Sequence, residues 1–221
     1  VQDVQGNSVL VYDPAMAEVA VGDTLVLGSA VKVTYNGYPE LKTLANVTTL
    51  AAYGKLPAVA PVEVTAENVA EVWVEANNYG FYKLVKAEVI GEKQVKLGDT
   101  TIDLYSTTLP ETVKVGDFID ITLTMQCYKG AVQGKGNTED ISRYYNISFD
   151  VDGVAETEQV VHAAATGAEL TVSAKSENEN YVFSHWAKVV VAEDETETLE
   201  KVSDSAELKV TVGETDEEYV A

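Results

Sequence analysis

Tyrosine is the residue type of this chain with the clearest binding chemistry, because an exposed phenol ring offers an apolar face for stacking and a hydroxyl for a hydrogen bond. The chain has 12 tyrosines among its 221 residues. Five of them stand beside turn signals and form a candidate ligand platform: Tyr12, Tyr35, Tyr38, Tyr105 and Tyr128. Three or more coplanar exposed rings would favour a glycan ligand, rings along a basic groove would favour nucleic acid, and neither arrangement would favour a scaffold.

Catalytic chemistry is poorly represented in the sequence. Nucleophilic catalysis needs a base within reach of the nucleophile, and the chain has only two histidines, His162 and His185. The single cysteine, Cys127, lies in an apolar strand pattern, where a small packed side chain is expected rather than a reactive thiolate. Asp150–Gly153 predicts a turn, because the closing Glu and spaced ligands of a calcium loop are missing. The sequence therefore predicts no enzyme activity, no cofactor and no metal site.

The charge of the chain argues against a nucleic-acid partner. The formal net charge is −21, and Arg143 is the only arginine. Affinity for nucleic acid comes largely from lysines and arginines that neutralise phosphates, so an acidic surface predicts repulsion. No apolar run approaches the ~20 residues of a membrane-spanning helix, so we expect no membrane span.

A sequence repeat shows how the candidate residues are positioned. Gly6–Tyr12, Val19–Asp23 and Tyr35–Gly37 form the first copy, and related segments recur about 93 residues later, at Gly98–Tyr105, Val113–Asp117 and Tyr128–Gly130. Self-similarity at a fixed period indicates a duplicated structural unit. Alternating apolar residues predict strands in both copies, and Asn-Gly predicts a tight hairpin turn.

One helix is predicted between the two copies. Thr65 can cap it, and Val69, Val72, Trp73 and Ala76 fall on one face at helical spacing. We expect Trp73 to be a structural residue that packs the helix onto a β-core, because single aromatic residues at this spacing are mostly core.

The ordered pattern of both copies resembles the OB-fold modules of secreted and surface proteins of Bacteroidota. In those modules a hairpin with a Gln-Asp start lies between strands two and three, and Val-Gly-Asp precedes a long strand. Gln2–Asn7 matches the hairpin start, and the second copy opens with a strand, Phe81–Val89, that has no equivalent before Gly6. The first copy is therefore expected to lack its opening strand. We predict that the first copy is completed from outside, either by residues upstream of Val1 in the native protein or by another chain through β-strand addition, which would allow self-association.

The last third of the chain resembles a divergent internalin-type B-repeat, a β-grasp-like surface module. The resemblance lies in Tyr181, Phe183 and Trp186, which match a Tyr-x-Phe-x-x-Trp signature. In that family the positions of Phe183 and Trp186 are core, so the resemblance implies structural roles for both.

Three short triplets resemble the O-glycan acceptor sequence of Bacteroidota envelope proteins. Their candidate acceptor residues are Thr24, Thr100 and Ser205. They agree with an extracytoplasmic location, at the cell surface or in the secreted fraction.

Together these features predict an all-β fold with one short helix, made of two tandem OB-like β-barrels and a small C-terminal β-grasp-like module. The expected boundaries are 1–60 for the first OB-like module, 61–146 for the linker, helix and second OB-like module, and 147–221 for the B-repeat-like module. The predicted function is that of a non-catalytic surface protein that binds a protein or glycan partner, as an adhesin or a structural scaffold. A carbohydrate-binding accessory module is the first alternative, and an OB-fold nucleic-acid-binding protein, disfavoured by charge, is the second.

Overall fold

The computed structural model of this protein describes residues 1–2, 7–17, 19–20, 22–49, 59–151, 159–175, 180 and 182–221. Strands make up 55% of the structure and helices 5%, and five strands close into a β-barrel. The prediction of an all-β fold with an OB-like barrel and one short helix is therefore confirmed. Outside the described residues lie positions 3–6 of the predicted hairpin start Gln2–Asn7, Val21, positions 152–153 of the predicted turn Asp150–Gly153, and Tyr181.

The chain divides into two compact units, Val1–Ser142 and Arg143–Ala221. The first unit contains both copies of the repeat, and the second contains the C-terminal module. The finer division of the first unit into 1–60 and 61–146 stays a prediction.

The second copy forms the closed barrel of the first unit. Its five strands are β7 (Phe81–Gly91), β8 (Gln94–Leu97), β9 (Thr100–Leu104), β10 (Phe118–Tyr128) and β11 (Ala131–Arg143), and β6 (Val62–Val64) adds to β7 from outside. Neighbouring strands run in the order β7-β8-β9-β11-β10, and β10 returns to pair with β7. The pairing of β9 with β11 is parallel. Closure leaves no unpaired edge among these five strands.

Alternation of apolar and polar residues explains the barrel. Every second residue of a strand points to the same face, and in β7 and β10 every second residue is buried over most of the strand. Leu84, Ile102 and Met125 are examples of fully buried side chains in this core. Burial of one face fixes the register of each strand.

The helix is shorter than its sequence pattern predicts. Helix α1 spans Val69–Val72, and a turn of 3-10 helix follows at Glu75–Asn77. The side chain of Thr65 accepts a hydrogen bond from the backbone of Glu67 at 3.3 Å, so it stabilises the entry turn rather than the first helical residues. Trp73 follows the helix, is buried in the barrel core, and meets Tyr82 edge to face.

The described strands of the first copy form two separate sheets. Its strands are β1 (Leu10–Val11), β2 (Leu25–Val26), β3 (Ser29–Tyr35), β4 (Tyr38–Ala45) and β5 (Thr48–Thr49). A three-stranded sheet has the order β1-β4-β3, and β2 and β5 form a separate two-stranded ladder. Strand β1 runs parallel to β4, as β9 runs parallel to β11 in the second copy.

The two copies share backbone hydrogen bonds as well as strand order. The amide of Tyr12 donates to the carbonyl of Leu41 at 2.9 Å, and the amide of Tyr105 donates to the carbonyl of Gly134 at 2.7 Å. Both β-hairpins turn through two residues with positive φ, at 50° and 94° for Asn36-Gly37 and at 50° and 84° for Lys129-Gly130. This geometry is that of a type I′ turn, so the predicted Asn-Gly hairpin is confirmed.

The second unit contains a mixed five-stranded sheet and a separate two-stranded ladder. The seven described strands of the unit are β12 (Tyr145–Asp150), β13 (Gln159–Ala164), β14 (Glu169–Ser173), β15 (Trp186–Val191), β16 (Glu197–Ser203), β17 (Glu207–Thr211) and β18 (Glu217–Val220). The sheet order is β13-β12-β18-β15-β16, and β14 pairs with β17 apart from it. The first and last strands of the unit, β12 and β18, are parallel neighbours in the middle of the sheet.

Candidate functional site

The outer edge of β3 distinguishes the first copy from the second. In the second copy the matching edge of β10 is fully covered: β7 pairs with it from Phe118 to Thr124. Beyond that point the amide of Met125 donates to the carbonyl of Gly80 at 2.9 Å, and the amide of Cys127 donates to Oδ1 of Asn78 at 3.0 Å. In the described part of the chain, β3 pairs with β4 alone.

The direction of the backbone groups along β3 follows from the hairpin. A two-residue turn makes Tyr35 and Tyr38 a hydrogen-bonded pair, so the next pair, Thr34 and Pro39, is a non-hydrogen-bonded one. Pro39 has no amide hydrogen to donate, which agrees with this assignment. The backbone amides of Lys32 and Thr34 therefore point away from β4. Their equivalents in the second copy, Met125 and Cys127, likewise donate outward, to Gly80 and Asn78.

The side chains of β3 are also accessible. All residues from Ser29 to Tyr35 are exposed except Val33, which is half-buried. Exposed β-branched and aromatic side chains on an unpaired edge are a template for pairing with another strand. We call this backbone and side-chain surface, Ser29–Tyr35, the β3 edge.

A tyrosine–lysine cluster lies on the sheet of the first copy. The ammonium group of Lys42 is 5.0 Å from the ring centre of Tyr12 and 5.5 Å from that of Tyr35. The same ammonium group is 3.0 Å from Oε2 of Glu40. Parallel pairing of β1 with β4 brings Tyr12 beside Lys42, so two of the five predicted platform tyrosines meet around one cation.

Four of the five predicted platform tyrosines are exposed, with fractional exposures between 44% and 69%. They are Tyr12, Tyr35, Tyr105 and Tyr128. Within the described residues, the ring pairs in contact are Trp73–Tyr82, Phe149–Trp186 and Phe149–Tyr219, and none of these belongs to the platform.

Tyr38 differs from the prediction, because it is buried and cannot offer a ring face to a ligand. Burial, together with the nearby Cys127 and Glu75, raises the pKa of its phenol. Burial and the charge of Glu40 likewise raise the pKa of Tyr79. These residues belong to a polar seam where the first copy contacts the second, and the seam also includes a hydrogen bond from the amide of Phe81 to the side chain of Gln2 at 3.0 Å.

An open groove of about 680 Å³ lies on the outside of the second barrel. The β7–β8 turn, the end of β9 and Gln133 of β11 line it. Tyr105 contributes an exposed ring, and the side-chain Nε2 of Gln94 donates to Oδ1 of Asp103 at 2.8 Å. Lys93 is the one basic residue in this lining, against two acidic ones, Glu92 and Asp103. This mixture suits a neutral polyhydroxylated ligand better than a polyanion.

The predicted structural residues of the second unit lie in its core or beside it. Trp186 is fully buried, its Nε1–H donates to the carbonyl of Ala206 at 3.1 Å, and it meets Phe149 edge to face. Phe183 is half-buried and packs against the same cluster.

The three candidate glycan acceptors differ in accessibility. Ser205 is exposed in the turn between β16 and β17, where its hydroxyl accepts a hydrogen bond from the amide of Glu207 at 3.3 Å. Thr24 and Thr100 are half-buried.

Among the described side chains, one histidine has a hydrogen-bonding neighbour. Oγ of Ser184 lies 3.0 Å from Nδ1 of its neighbour His185, and the side chain of His162 lies outside the described residues. Burial raises the pKa of the Cys127 thiol, as does the nearby Glu75. No group of three or more His, Cys, Asp or Glu side chains within the described ranges could hold a metal ion. Over the same ranges, no helix has the length and apolar character needed to cross a bilayer.

Sequence reasoning missed the role of Lys42 and Glu40. A lysine and a glutamate two residues apart in a strand share a face, which was a readable signal. Their meeting with Tyr12 required the parallel pairing of two strands that are distant in sequence, which no local pattern reveals.

Comparison with known proteins leaves the family of this chain open. No family model matches it, and no curated protein matches it. One solved structure, a superantigen-like protein from Staphylococcus aureus in complex with sialyl-Lewis X, is 9% identical, with coverage of 71% of this chain and 98% of that one. Its TM-score is 0.21, a similarity too low to carry an argument about this chain.

Proposed function

We propose that this chain is a non-catalytic, modular binding and scaffolding protein of the cell surface or the secreted fraction, and that its first copy binds a partner by accepting a β-strand along the β3 edge. The observation that carries the proposal is the difference between the two copies. In the second copy, β7 and the residues before it cover the edge of β10. In the first copy, no described strand lies beside the equivalent edge of β3.

The chemistry of the edge supports this mode of binding. Main-chain hydrogen bonds give affinity in β-strand addition, and alternate side chains give specificity. Lys32 and Thr34 offer outward amides, while Val31 and Tyr35 are exposed by 51% and 53%. The resemblance to Bacteroidota surface modules supports the extracytoplasmic location.

A peptide of residues 78–88, labelled at its N-terminus, tests the proposal in a fluorescence anisotropy titration against the whole chain. This segment covers the equivalent edge of β10, so we expect saturable binding. A scrambled peptide of the same composition controls for attraction of its lysines to the acidic chain. No binding of the native-order peptide, or equal binding of the scrambled one, would refute strand acceptance.

Thr34→Pro then locates the binding site. Proline removes the outward amide hydrogen but leaves the β3–β4 ladder intact, because position 34 makes no hydrogen bond to β4. Thr34→Val is the matched control, since it changes the side chain and keeps the amide. We expect Thr34→Pro to weaken peptide binding at least tenfold, and Thr34→Val to leave it within about twofold.

A carbohydrate-binding role is the second candidate, and the groove beside Tyr105 is the observation that favours it. OB-like barrels bind oligosaccharides on the face of their second and third strands, and β8 and β9 hold those places here. A glycan array should identify a ligand whose binding is lost in Tyr105→Ala. Tyr128→Ala removes another exposed tyrosine, one outside the groove lining, and should leave that binding unchanged.

A further inference from the structure

The β3 edge has a counterpart in the second unit. Strand β16 is an edge strand of the five-stranded sheet, and among the described strands it pairs with β15 alone. It has seven residues, as β3 has, and all of them are exposed except Ser203, which is half-buried. Leu199 is 65% exposed and Val202 43%. The chain therefore presents two long, accessible strand edges, one in each unit.

The backbone groups of β16 that are open to a partner can be assigned. The amide of Ala192 donates to the carbonyl of Thr196 at 2.9 Å, which makes this a hydrogen-bonded pair. Two residues further, Val190 and Thr198 are the next hydrogen-bonded pair along the ladder. Leu199, the residue after Thr198, belongs to a non-hydrogen-bonded pair. Its backbone N–H and C=O groups therefore point away from β15.

A parallel register joins the two edges without conflict. In parallel pairing, a residue whose backbone groups point to the partner lies opposite a residue whose groups point away. Lys32 then lies opposite Glu200, with its outward groups between those of Leu199 and Lys201. The same register places Val31 opposite Leu199, two exposed apolar side chains.

Charge favours this pairing over pairing of the β3 edge with itself. Lys32 is the central residue of β3, so a centred antiparallel β3–β3 contact would oppose two lysines, which is unfavourable. Lys32 and Glu200 both lack an ion-pair partner in the described part of the chain, whereas Lys201 is paired with Asp204 at 2.6 Å.

We propose that β3 of one copy of this chain pairs in parallel with β16 of a second copy, with Lys32 opposite Glu200. The proposal rests on the strand-accepting function of the β3 edge and names its partner. Because donor and acceptor are different surfaces, the contact is heterologous and assembles copies head to tail.

Sedimentation velocity over a wide concentration range tests the proposal. We expect the native chain to form concentration-dependent oligomers, and Lys32→Glu or Glu200→Lys alone to weaken association roughly tenfold or more. Lys209→Glu is the control, because it makes the same charge change on a side chain that is 76% exposed on another strand. It should leave association unchanged.

Mixing the two single variants gives the decisive measurement. In an equimolar mixture every contact can again join opposite charges, so association should return, as it should in the double variant Lys32→Glu/Glu200→Lys. Association that survives Lys32→Glu, such as a symmetric dimer through β16, would overturn the proposal. A chain that stays monomeric but binds the 78–88 peptide would also overturn it, while leaving the strand-accepting function intact. A chain that neither associates with itself nor binds the 78–88 peptide would refute both the β3–β16 pairing and the strand-accepting function.

Discussion

Replacement of Trp186 by alanine should destabilise the second unit without affecting the first. Trp186 is fully buried, and no side chain larger than it lies in that core. Truncation of a buried tryptophan to alanine costs about 3–5 kcal/mol, because the cavity left behind collapses only partly. The loss also removes the edge-to-face contact with Phe149 and leaves the carbonyl of Ala206 without its indole donor.

The expected loss is large relative to the stability of the unit. A domain the size of residues 143–221 has a free energy of unfolding of roughly 4–12 kcal/mol. A loss of about 4 kcal/mol multiplies the unfolded population by nearly a thousand, since each 1.4 kcal/mol is a factor of ten. The second unit of the variant should therefore keep a free energy of unfolding of roughly 0–8 kcal/mol, so that it is markedly less stable than in the native chain.

Amide hydrogen exchange measured by mass spectrometry, resolved by peptide, distinguishes the two units. The slowest amides of β12 and β18 should exchange hundreds of times faster in Trp186→Ala, while those of β7 and β10 keep their native rates. Trp186→Phe should have a smaller effect, because it keeps an aromatic ring and loses the indole N–H donor. Val182→Ala is the surface control, since Val182 is 90% exposed. An unchanged exchange map, or equal acceleration in both units, would refute this account of the core.

Three further predictions follow from other parts of the molecule. Burial alone would raise the pKa of Glu217, but hydrogen bonds from Lys188 and Tyr219 outweigh it and hold that pKa below the usual value of a glutamate. Glu217 therefore stabilises the second unit at pH values above its unfolded-state pKa, and this stability is lost as the pH falls through the lower folded-state pKa. In urea unfolding at several pH values, the free energy of unfolding should fall less on acidification for Glu217→Gln than for the native chain. Gly130→Ala should cost about 1–2 kcal/mol, because the φ of Gly130 is 84° and alanine is strained there; Gly91→Ala, whose added Cβ would lie 3.8 Å from the nearest atoms, should cost less in the same thermal unfolding assay. The native chain, with a net charge of −21, should show no submicromolar binding of single-stranded DNA or RNA by fluorescence anisotropy at ~150 mM salt, and tight binding would show that a local basic surface outweighs the net charge.

Sequence patterns predicted the parts of the fold that depend on local geometry. The Asn36-Gly37 turn was predictable because few residue pairs tolerate positive φ at both positions. The strands of the barrel were predictable because burial of one face imposes alternation, as in β10. The extent of α1 was not, because Val69, Val72 and Trp73 have the spacing of a longer helix, yet the helix ends at Val72 and Trp73 packs into the barrel core.

The candidate site was less predictable because its parts come from distant segments. Tyr12, Tyr35 and Lys42 share a cluster only through the β1–β4 pairing. Tyr38 was predicted to be exposed because it follows a turn, but its side chain lies near Cys127 of the second copy and near Glu75, and is buried there. A contact between two modules of one unit has no periodic signal in sequence.

The residues that differ between the two copies support the proposed strand-accepting edge of the first copy. In a closed barrel, the residues that face the core are expected to be apolar. At the place of Met125, which is fully buried in the second barrel, the first copy has Lys32, and at the place of the buried Cys127 it has Thr34. These two residues carry the outward amides of the β3 edge, so the substitutions that weaken an enclosed core fall on the residues that a partner strand would meet. A lysine at position 32 is compatible with water and with an opposing carboxylate. It disfavours pairing of β3 with the β3 strand of another copy. The first copy therefore keeps the backbone of the duplicated unit while its side chains fit an open edge.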